Sequence, residues 1–284
     1  MPKHNRSDSH DPENDAFTLT PVPRAKPVAG YVGGKKQLAK TIVARIETIP
    51  HGIYGEVFAG MGGVFFRRTA APKVEALNDI SRDVACLFRV LQNHYQAFLD
   101  MLKWQVVSRA EFERLLGQDP ERLTDLQRAA RFLYVQRLAF GGKVAGRNFG
   151  VDTQGPPRFD LTKLVPLLEA AHDRLQGVWI ECLDWRAFLD RWDRPEALFY
   201  LDPPYHGSEH YYGRGLFDRD AFAEVADRLA VLKGRFILTV NDVPETRAVF
   251  DRFTIESGTV TYTLPGHGRA PKRSPELIVT GGGR

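Results

Sequence analysis

The sequence predicts an α/β protein with a mainly parallel sheet that is covered by helices on both faces. Short apolar runs typical of strands alternate with segments of helical periodicity through most of the 284 residues. Strands that alternate with helices in this way favour a parallel sheet. Polar and glycine-rich motifs follow several predicted strands, and open α/β sheets bind their ligands at the carboxyl ends of strands.

The predicted elements begin after a polar segment. Residues 1–26 are rich in His, Asp, Asn, Ser and Pro, so we expect a disordered tail there. Apolar residues at helical spacing then predict a helix over 35–49. The predicted strands are 55–58, 74–78, 178–183, 197–201, 235–240, 254–257, 259–264 and 276–280, and the helices between them are 65–69, 82–92, 185–192 and 218–232.

The alternation of strands and helices stops between residues 94 and 176. This stretch has the pattern of several helices, at 95–104, 110–116, 125–138 and 161–175, around a basic loop rich in glycine. We therefore predict an inserted helical domain over 94–176, and a single α/β domain formed by 27–93 together with 177–284.

Composition excludes several classes of protein. No apolar run approaches the roughly 20 residues that span a bilayer, and the N-terminus lacks the apolar core of a signal peptide. Only two cysteines are present, Cys86 and Cys182, without a cluster of metal-ligand spacing. We expect a cytoplasmic protein with neither disulfides nor a bound metal.

The net charge is only +4, but bases cluster in three stretches that contain almost no acid. Clustered bases suit a polyanionic partner, because neutralising phosphates releases counterions; solvated surfaces are the alternative. The clustered bases are Arg24, Lys26, Lys35, Lys36 and Lys40; Arg128, Arg131, Arg137, Lys143, Arg147 and Arg158; and Arg269, Lys272 and Arg273.

A glycine loop follows the first predicted strand of the sheet. Phe58, Gly60 and Gly62 form an F-x-G-x-G motif that leads from the strand towards a helix, and glycines let a backbone approach a ligand closely. Asp79 ends the next strand, 17 residues after Gly62. A carboxylate at that position can accept both hydroxyls of a ribose, so the pair indicates a nucleoside site.

A second motif, Asp202-Pro203-Pro204-Tyr205, directly follows the apolar run 197–201. From average residue usage, this tetrapeptide is expected by chance in about one of a thousand chains of this length. Prolines remove backbone donors, which leaves carbonyl oxygens at the site. The carboxylate and such a carbonyl can accept both protons of an exocyclic amino group, and the Tyr205 ring offers a face for a base turned out of its helix.

Asp184 is a third candidate, since it ends the predicted strand 178–183. Its carboxylate could accept a hydrogen bond from the amino group of an adenine in a cofactor. It could equally cap the helix that begins at Trp185, and one residue can do both.

In this order, the motifs resemble the Dam-type, D12-class family of adenine-N6 DNA methyltransferases over about residues 28–282. The similar segments are YVGGK at 31–35, FAGMG at 58–62, ND at 78–79, DPPY at 202–205 and the basic segment 266–277. Tyr31 stands where the family usually has Trp, and Val57 where it usually has Pro. The loop RLAFGGK at 137–143 lacks the family's asparagine, so the resemblance does not assign GATC as the target.

The resemblance implies a Rossmann-like fold that depends on S-adenosylmethionine and carries a helical insertion for target recognition. It implies cofactor contacts at Tyr31, Lys35, Asp79 and Asp202. Phe58, Gly60, Gly62 and Asp184 complete the expected cofactor site.

The expected reaction transfers a methyl group directly from the sulfonium to N6 of an extruded adenine, without a metal. Hydrogen bonds from N6 to Asp202 and to the carbonyl of Pro203 would favour the pyramidal nitrogen of the transition state. Sequence readout is expected in the inserted loop, with Arg147 and Asn148 as candidates for base edges. The expected DNA contacts are Arg137, Lys143, Arg147, Asn148, Arg269, Lys272 and Arg273.

Three other functions are compatible with parts of the sequence. An N4-cytosine DNA methyltransferase uses the same chemistry, because N4 is also a ring-conjugated amine. A DNA-binding protein without catalysis would need the basic insertion but not DPPY, and a nicotinamide oxidoreductase is disfavoured by the missing third glycine. The resemblance also disfavours RNA as the substrate. We expect a monomer, or a weak dimer on DNA.

Overall fold

The computed structural model describes residues 17–31, 38–144, 146–151, 155–204, 219–262 and 272–283. The strands are β1 (Thr20–Pro21), β2 (Ile53–Glu56), β3 (Ala70–Ala71), β4 (Val74–Asn78), β5 (Trp179–Glu181), β6 (Ala197–Leu201), β7 (Arg235–Asn241), β8 (Thr254–Tyr262) and β9 (Lys272–Gly282). The helices are α1 (Leu38–Thr48), α2 (Arg82–Asn93), α3 (Tyr95–Leu102), α4 (Arg109–Leu116), α5 (Asp125–Leu138), α6 (Leu161–Leu175), α7 (Trp185–Trp192), α8 (Arg219–Ala230) and α9 (Pro244–Val249).

Seven of the strands form one sheet in the order β5-β4-β2-β6-β7-β9-β8. The neighbours from β5 to β7 pair in parallel, and β9 runs antiparallel between β7 and β8. The predicted fold class, a mainly parallel α/β sheet of Rossmann-like type, is therefore confirmed. The strand order reverses between β2 and β6, so the crevice expected for a ligand lies at the carboxyl ends of these two strands.

Strand β6 shows how the sheet divides the apolar core. Leu198 and Tyr200 belong to one cluster of buried side chains, together with residues of α1, α2, α5 and α6. Ala197, Phe199 and Leu201 belong to a second cluster, together with residues of α7 and α8. Successive side chains of a strand point to opposite faces, so an uninterrupted apolar strand requires helices on both faces of the sheet.

Two predicted elements differ from the structure. The predicted strands 254–257 and 259–264 are one strand, β8, because Gly258 pairs in register with Glu276 and the ladder continues through it. The predicted helix over 65–69 is a single 3-10 turn at Phe65–Arg67. It ends there because Arg68 takes an extended conformation, which leads the chain into β3.

The segment predicted as a tail is structured in its described part, from residue 17 onwards. Strand β1 pairs with β3 in antiparallel fashion, and the amide of Ala25 donates to the carbonyl of Phe66 at 2.8 Å. Ala25 and Val28 are buried. A strand of two residues carries no periodicity, so composition alone favoured disorder.

The stretch 94–176 contains α3 to α6, close to the four predicted helices. Helix α5 begins with a capping box, in which Thr124 and Gln127 exchange side-chain to backbone hydrogen bonds. Phe98 and Phe132, from α3 and α5, lie in the same buried cluster as Phe88 of α2. This helical stretch therefore packs directly on the helical layer of the sheet.

Candidate active site at the carboxyl edge of the sheet

The glycine loop after β2 has a conformation that needs glycine at two positions. Gly60 and Gly62 have φ angles of +50° and +68°, a region that other residues rarely adopt. A Cβ at Gly62 would lie 2.6 Å from Cδ2 of Phe66, and a Cβ at Gly60 would lie 3.1 Å from Cδ1 of Tyr31. The sequence therefore turns sharply after β2, and the ring of Tyr31 lies beside the turn.

Asp79, at the end of β4, is tied to this loop. Its Oδ2 accepts a hydrogen bond from the amide of Gly60, and its Oδ1 accepts one from the amide of Ser81, each at 2.8 Å. Burial raises the pKa of the half-buried Asp79 carboxyl above its ordinary value, and the two amide hydrogen bonds oppose that shift. The structure therefore brings together Tyr31, Gly60 and Asp79, three of the predicted cofactor residues.

Asn78 joins the ends of three strands. Its Nδ2 donates to the carbonyls of Val57 and Leu183, both at 3.0 Å, and its Oδ1 accepts from the amide of Leu183 at 2.8 Å. The side chain is buried. Asn78 belongs to a motif of the family resemblance that assigns it no role. A polar residue that ends a buried strand, next to the predicted ligand contact Asp79, was a usable signal for this residue.

Two other predicted cofactor residues lie near this edge. Phe58 is half-buried directly after β2. Asp184 is exposed and accepts a hydrogen bond from the amide of Arg186 at 2.9 Å, which confirms the predicted helix cap of α7. Its carboxylate also pairs with the Arg186 guanidinium at 3.2 Å. Lys35 lies outside the described residues.

The Asp202-Pro203-Pro204 turn follows β6, beside the strand that carries the glycine loop. Both prolines are buried, and Asp202 is half-buried. The hydroxyl of Thr239, on β7, donates to Oδ1 of Asp202 at 3.0 Å. Tyr205 lies outside the described residues. The carboxylate thus has a fixed hydrogen-bond partner at the switch point of the sheet.

Buried polar groups lie beneath this turn. Glu56, the last residue of β2, is opposite Tyr200 of β6 in the ladder and accepts a hydrogen bond from the hydroxyl of Tyr54 at 2.9 Å. Burial raises the pKa of Glu56 to about 8, with a further contribution from the negative charge of Asp202. Glu56 therefore keeps its proton at neutral pH. No sequence motif assigned a role to Glu56.

A sequence model of the D12 class N6 adenine-specific DNA methyltransferases matches residues 31–264, which is most of the 284-residue chain. The chain belongs to this family. It is also similar to the Type II methyltransferase M1.LlaDCHI of Lactococcus lactis subsp. cremoris, with 24% identity over 282 residues, covering 90% of this chain and 95% of the relative. The predicted family and the adenine-specific DNA methyltransferase activity are thereby confirmed, which implies a methyl donor and a DNA substrate.

The methyltransferase presents a hairpin-like loop after α5. An isolated antiparallel bridge joins Ala139 to Phe149, and the amide of Phe140 donates to the carbonyl of Asn148 at 2.9 Å. The Nε2 of the buried Gln136 donates to the carbonyls of Gly30 and Gly142, both at 2.9 Å. These bonds hold the loop against the backbone next to Tyr31.

The predicted DNA-contacting residues of the methyltransferase differ in their surroundings. Arg137 donates to the carbonyls of Val28 and Arg158 at 2.6 and 2.7 Å, and Arg147 donates to Oε1 of Gln136 at 3.1 Å. Burial lowers the pKa of both guanidinium groups, although arginine stays charged.

Of the other predicted DNA contacts, only Lys143 and Asn148 have side chains that the structure describes. Lys143 is half-buried and Asn148 is exposed. Arg269 and the side chains of Lys272 and Arg273 lie outside the description.

In the described ranges, no helix is long and apolar enough to cross a membrane. No group of three or more His, Cys, Asp or Glu side chains among the same residues is arranged to hold a metal ion.

Proposed function

We propose that this methyltransferase transfers a methyl group from S-adenosylmethionine to N6 of an adenine that is turned out of the DNA duplex. One observation carries the proposal: three motifs follow three neighbouring strands of the sheet. The Asp202-Pro203-Pro204 turn follows β6, the glycine loop follows β2, and Asp79, which accepts a hydrogen bond from that loop, follows β4.

The residues beside the glycine loop fit a nucleoside cofactor. Gly60 and Gly62 turn the backbone sharply at positive φ, and glycine lets a backbone approach a ligand closely. Asp79 lies at the end of the adjacent strand, where a carboxylate can accept ribose hydroxyls. When bound, the cofactor supplies an electrophilic methyl group on a sulfonium. We assign its nucleoside to Tyr31, Gly60 and Asp79, with Asp184 at the adenine end.

The Asp202 turn fits an amine whose lone pair is delocalised into an aromatic ring. The carboxylate of Asp202 and the carbonyl of Pro203 would accept the two N6 protons, which favours a pyramidal nitrogen with a localised lone pair. This interaction is stronger in the transition state, where positive charge develops on nitrogen, than in the ground state. Asp202 need not be a strong base, since the proton can leave after the methyl group has moved.

Product analysis tests the proposal directly. The protein is incubated with DNA and S-adenosylmethionine that carries a tritiated methyl group, and the DNA is then digested to nucleosides. Label in N6-methyl-2′-deoxyadenosine is expected, and a metal chelator should not reduce the activity. Label in N4-methyl-2′-deoxycytidine would show that cytosine is the substrate, and unlabelled DNA would contradict catalysis. Sequencing that detects methylated bases gives the recognition sequence.

Asp79→Asn is expected to weaken cofactor binding about tenfold or more, because it removes a charged acceptor from a ribose contact. The single-turnover rate at saturating cofactor should stay within about threefold of wild type, since such a contact is made in both ground and transition states. Asp251→Asn, an exposed carboxylate beyond α9, serves as the control. A large loss of single-turnover rate with unchanged affinity would disprove the role.

Single alanine substitutions in the loop should separate its contacts with DNA. Lys143→Ala is expected to weaken binding to all sequences alike and to lower the salt slope by about one, as for a phosphate contact. Arg147→Ala and Asn148→Ala should each relax one base position, at a cost of about 1–3 kcal/mol.

Arg137→Ala is compared with these variants in the same assays. Arg137 donates to the carbonyls of Val28 and Arg158, so its replacement should also lower the urea concentration at which the protein unfolds. If all four variants leave affinity and methylated sequence unchanged, the reader is elsewhere, and the segment around Arg269 and Lys272 becomes the candidate.

A further inference from the structure

We propose that Thr239 and Tyr200 form a buried relay of hydroxyl groups that positions the carboxylate of Asp202 for methyl transfer. The proposal rests on the role of Asp202 in the proposed function. Neither residue was singled out from the sequence, because each is an ordinary member of an apolar strand, β7 and β6.

The direction of the hydrogen bonds follows from proton counting. The hydroxyl of Thr239 donates its only proton to Oδ1 of Asp202, at 3.0 Å. The hydroxyl of Tyr200 lies 2.9 Å from the same Thr239 oxygen. A hydroxyl has one proton and two acceptor positions, so Tyr200 donates to Thr239 while Thr239 donates to Asp202.

The relay is rigid because of where it lies. Thr239 and Tyr200 are 0% and 1% exposed, on strands that pair directly in the parallel sheet. Threonine is also stiff at χ1, since it is branched at Cβ. No bulk water reaches these hydroxyls to replace a lost partner, so each bond depends on the other.

Charge and protonation around the relay keep it donating towards Asp202. Burial is the main cause that holds the pKa of Tyr200 well above its ordinary value, and the negative charge of Asp202 adds to it. The tyrosine therefore stays a hydrogen-bond donor throughout the pH range of an assay.

A fixed carboxylate matters because the reaction depends on direction. Holding Oδ1 sets the plane of the Asp202 carboxylate and so the line along which it meets the N6 proton. Productive geometry has a tolerance of about 0.5 Å and 10–20°. Groups that are already oriented need no rearrangement when charge develops in the transition state. Thr239 is thus a positioning residue, acting through Asp202.

The test measures single-turnover methyl transfer with saturating DNA and cofactor. Two single variants of Thr239 are compared with a matched control on β9 and with a double variant. Thr239→Val removes the hydroxyl but keeps the β-branched shape, and it should slow transfer about 10- to 100-fold, the range for a hydrogen bond to a charged group. Thr239→Ser keeps the hydroxyl and should recover to within about threefold of wild type. The matched control is Thr280→Val, on the neighbouring strand β9 and two positions from the partner of Thr239.

The double variant Tyr200→Phe/Thr239→Val separates positioning from stability. Thr239→Val alone leaves the buried Tyr200 hydroxyl without its acceptor, whereas the double variant removes both hydroxyls, and such paired replacement is nearly neutral for stability. We expect the double variant to regain the thermal midpoint of wild type while its transfer rate stays low. Recovery of the rate together with the stability would show a purely structural role and overturn the proposal.

Failure of this proposal is distinct from failure of the proposed function. If Asp202→Ala abolishes transfer while Thr239→Val matches the Thr280→Val control, only the relay is wrong. If Asp202→Ala has no effect, the assigned role of Asp202 is wrong and the relay falls with it. In an Asp202→Ala background, Thr239→Val should have no further effect on any residual rate, because coupled residues are not additive.

Discussion

Asp202→Ala is expected to reduce single-turnover methyl transfer by about 100- to 1,000-fold or more, the range seen when one preorganised transition-state contact is removed. The carboxylate is the group that accepts an N6 proton in the proposed mechanism, and no other described carboxylate extends from the turn after β6. The rate is measured with tritiated cofactor at saturating concentration, and the affinity for the cofactor is measured separately by calorimetry.

Asp202→Asn provides the second measurement for this prediction. The amide keeps the size of the side chain and can still accept the Thr239 hydroxyl through its oxygen, so the fold should be unaffected. It carries no negative charge to stabilise the developing positive charge on N6, and the rate should therefore stay low. A near wild-type rate in either variant, with a normal thermal midpoint, would contradict the assignment of the site.

Glu75→Ala is expected to destabilise the protein by about 3–5 kcal/mol, the cost of leaving buried charges without their partner. Glu75 lies on β4 and is 7% exposed, between two arginines that are almost fully buried, Arg68 and Arg174. Arg174 donates to both carboxylate oxygens, at 2.7 and 2.8 Å, and Arg68 donates to Oε1. Removing the carboxylate leaves two positive charges in the apolar core.

Urea unfolding measures the change in free energy for this variant. The control is Asp100→Ala, whose carboxylate pairs with Lys103 on the surface at 2.7 Å, where both side chains are more than half exposed. Solvent already satisfies that pair, so we expect no measurable loss. If Glu75→Ala unfolds at the same urea concentration as the control, the buried cluster does not stabilise the fold.

The local pattern of the sequence was enough to predict two of the strands whose ends form the site. The predicted strands 74–78 and 197–201 match β4 and β6 in the structure, because the side chains of strands that are covered on both faces are mainly apolar. The residues that follow these strands, Asp79 and Asp202, could be selected from sequence for the same reason: in this fold class the carboxyl ends of the strands meet at one edge.

The contacts that hold those residues could not be read from the sequence. Thr239 lies 37 residues from Asp202, and Asn78 lies 105 residues from Leu183. Which pairs of strands become neighbours depends on the strand order, and no local periodicity encodes it. The pairing of β1 with β3 escaped prediction because strands of two residues have no period at all.

The sequence by itself determined the fold class, the order of the motifs and the family, because each depends on residue types within a few positions of one another. Only the tertiary structure decided how the candidate residues are held. It gave Arg137 carbonyl partners inside the protein, tied Asp79 to the glycine loop and set Thr239 against Asp202. These are contacts across segments distant in the chain, and their geometry follows from the register and packing of the whole sheet.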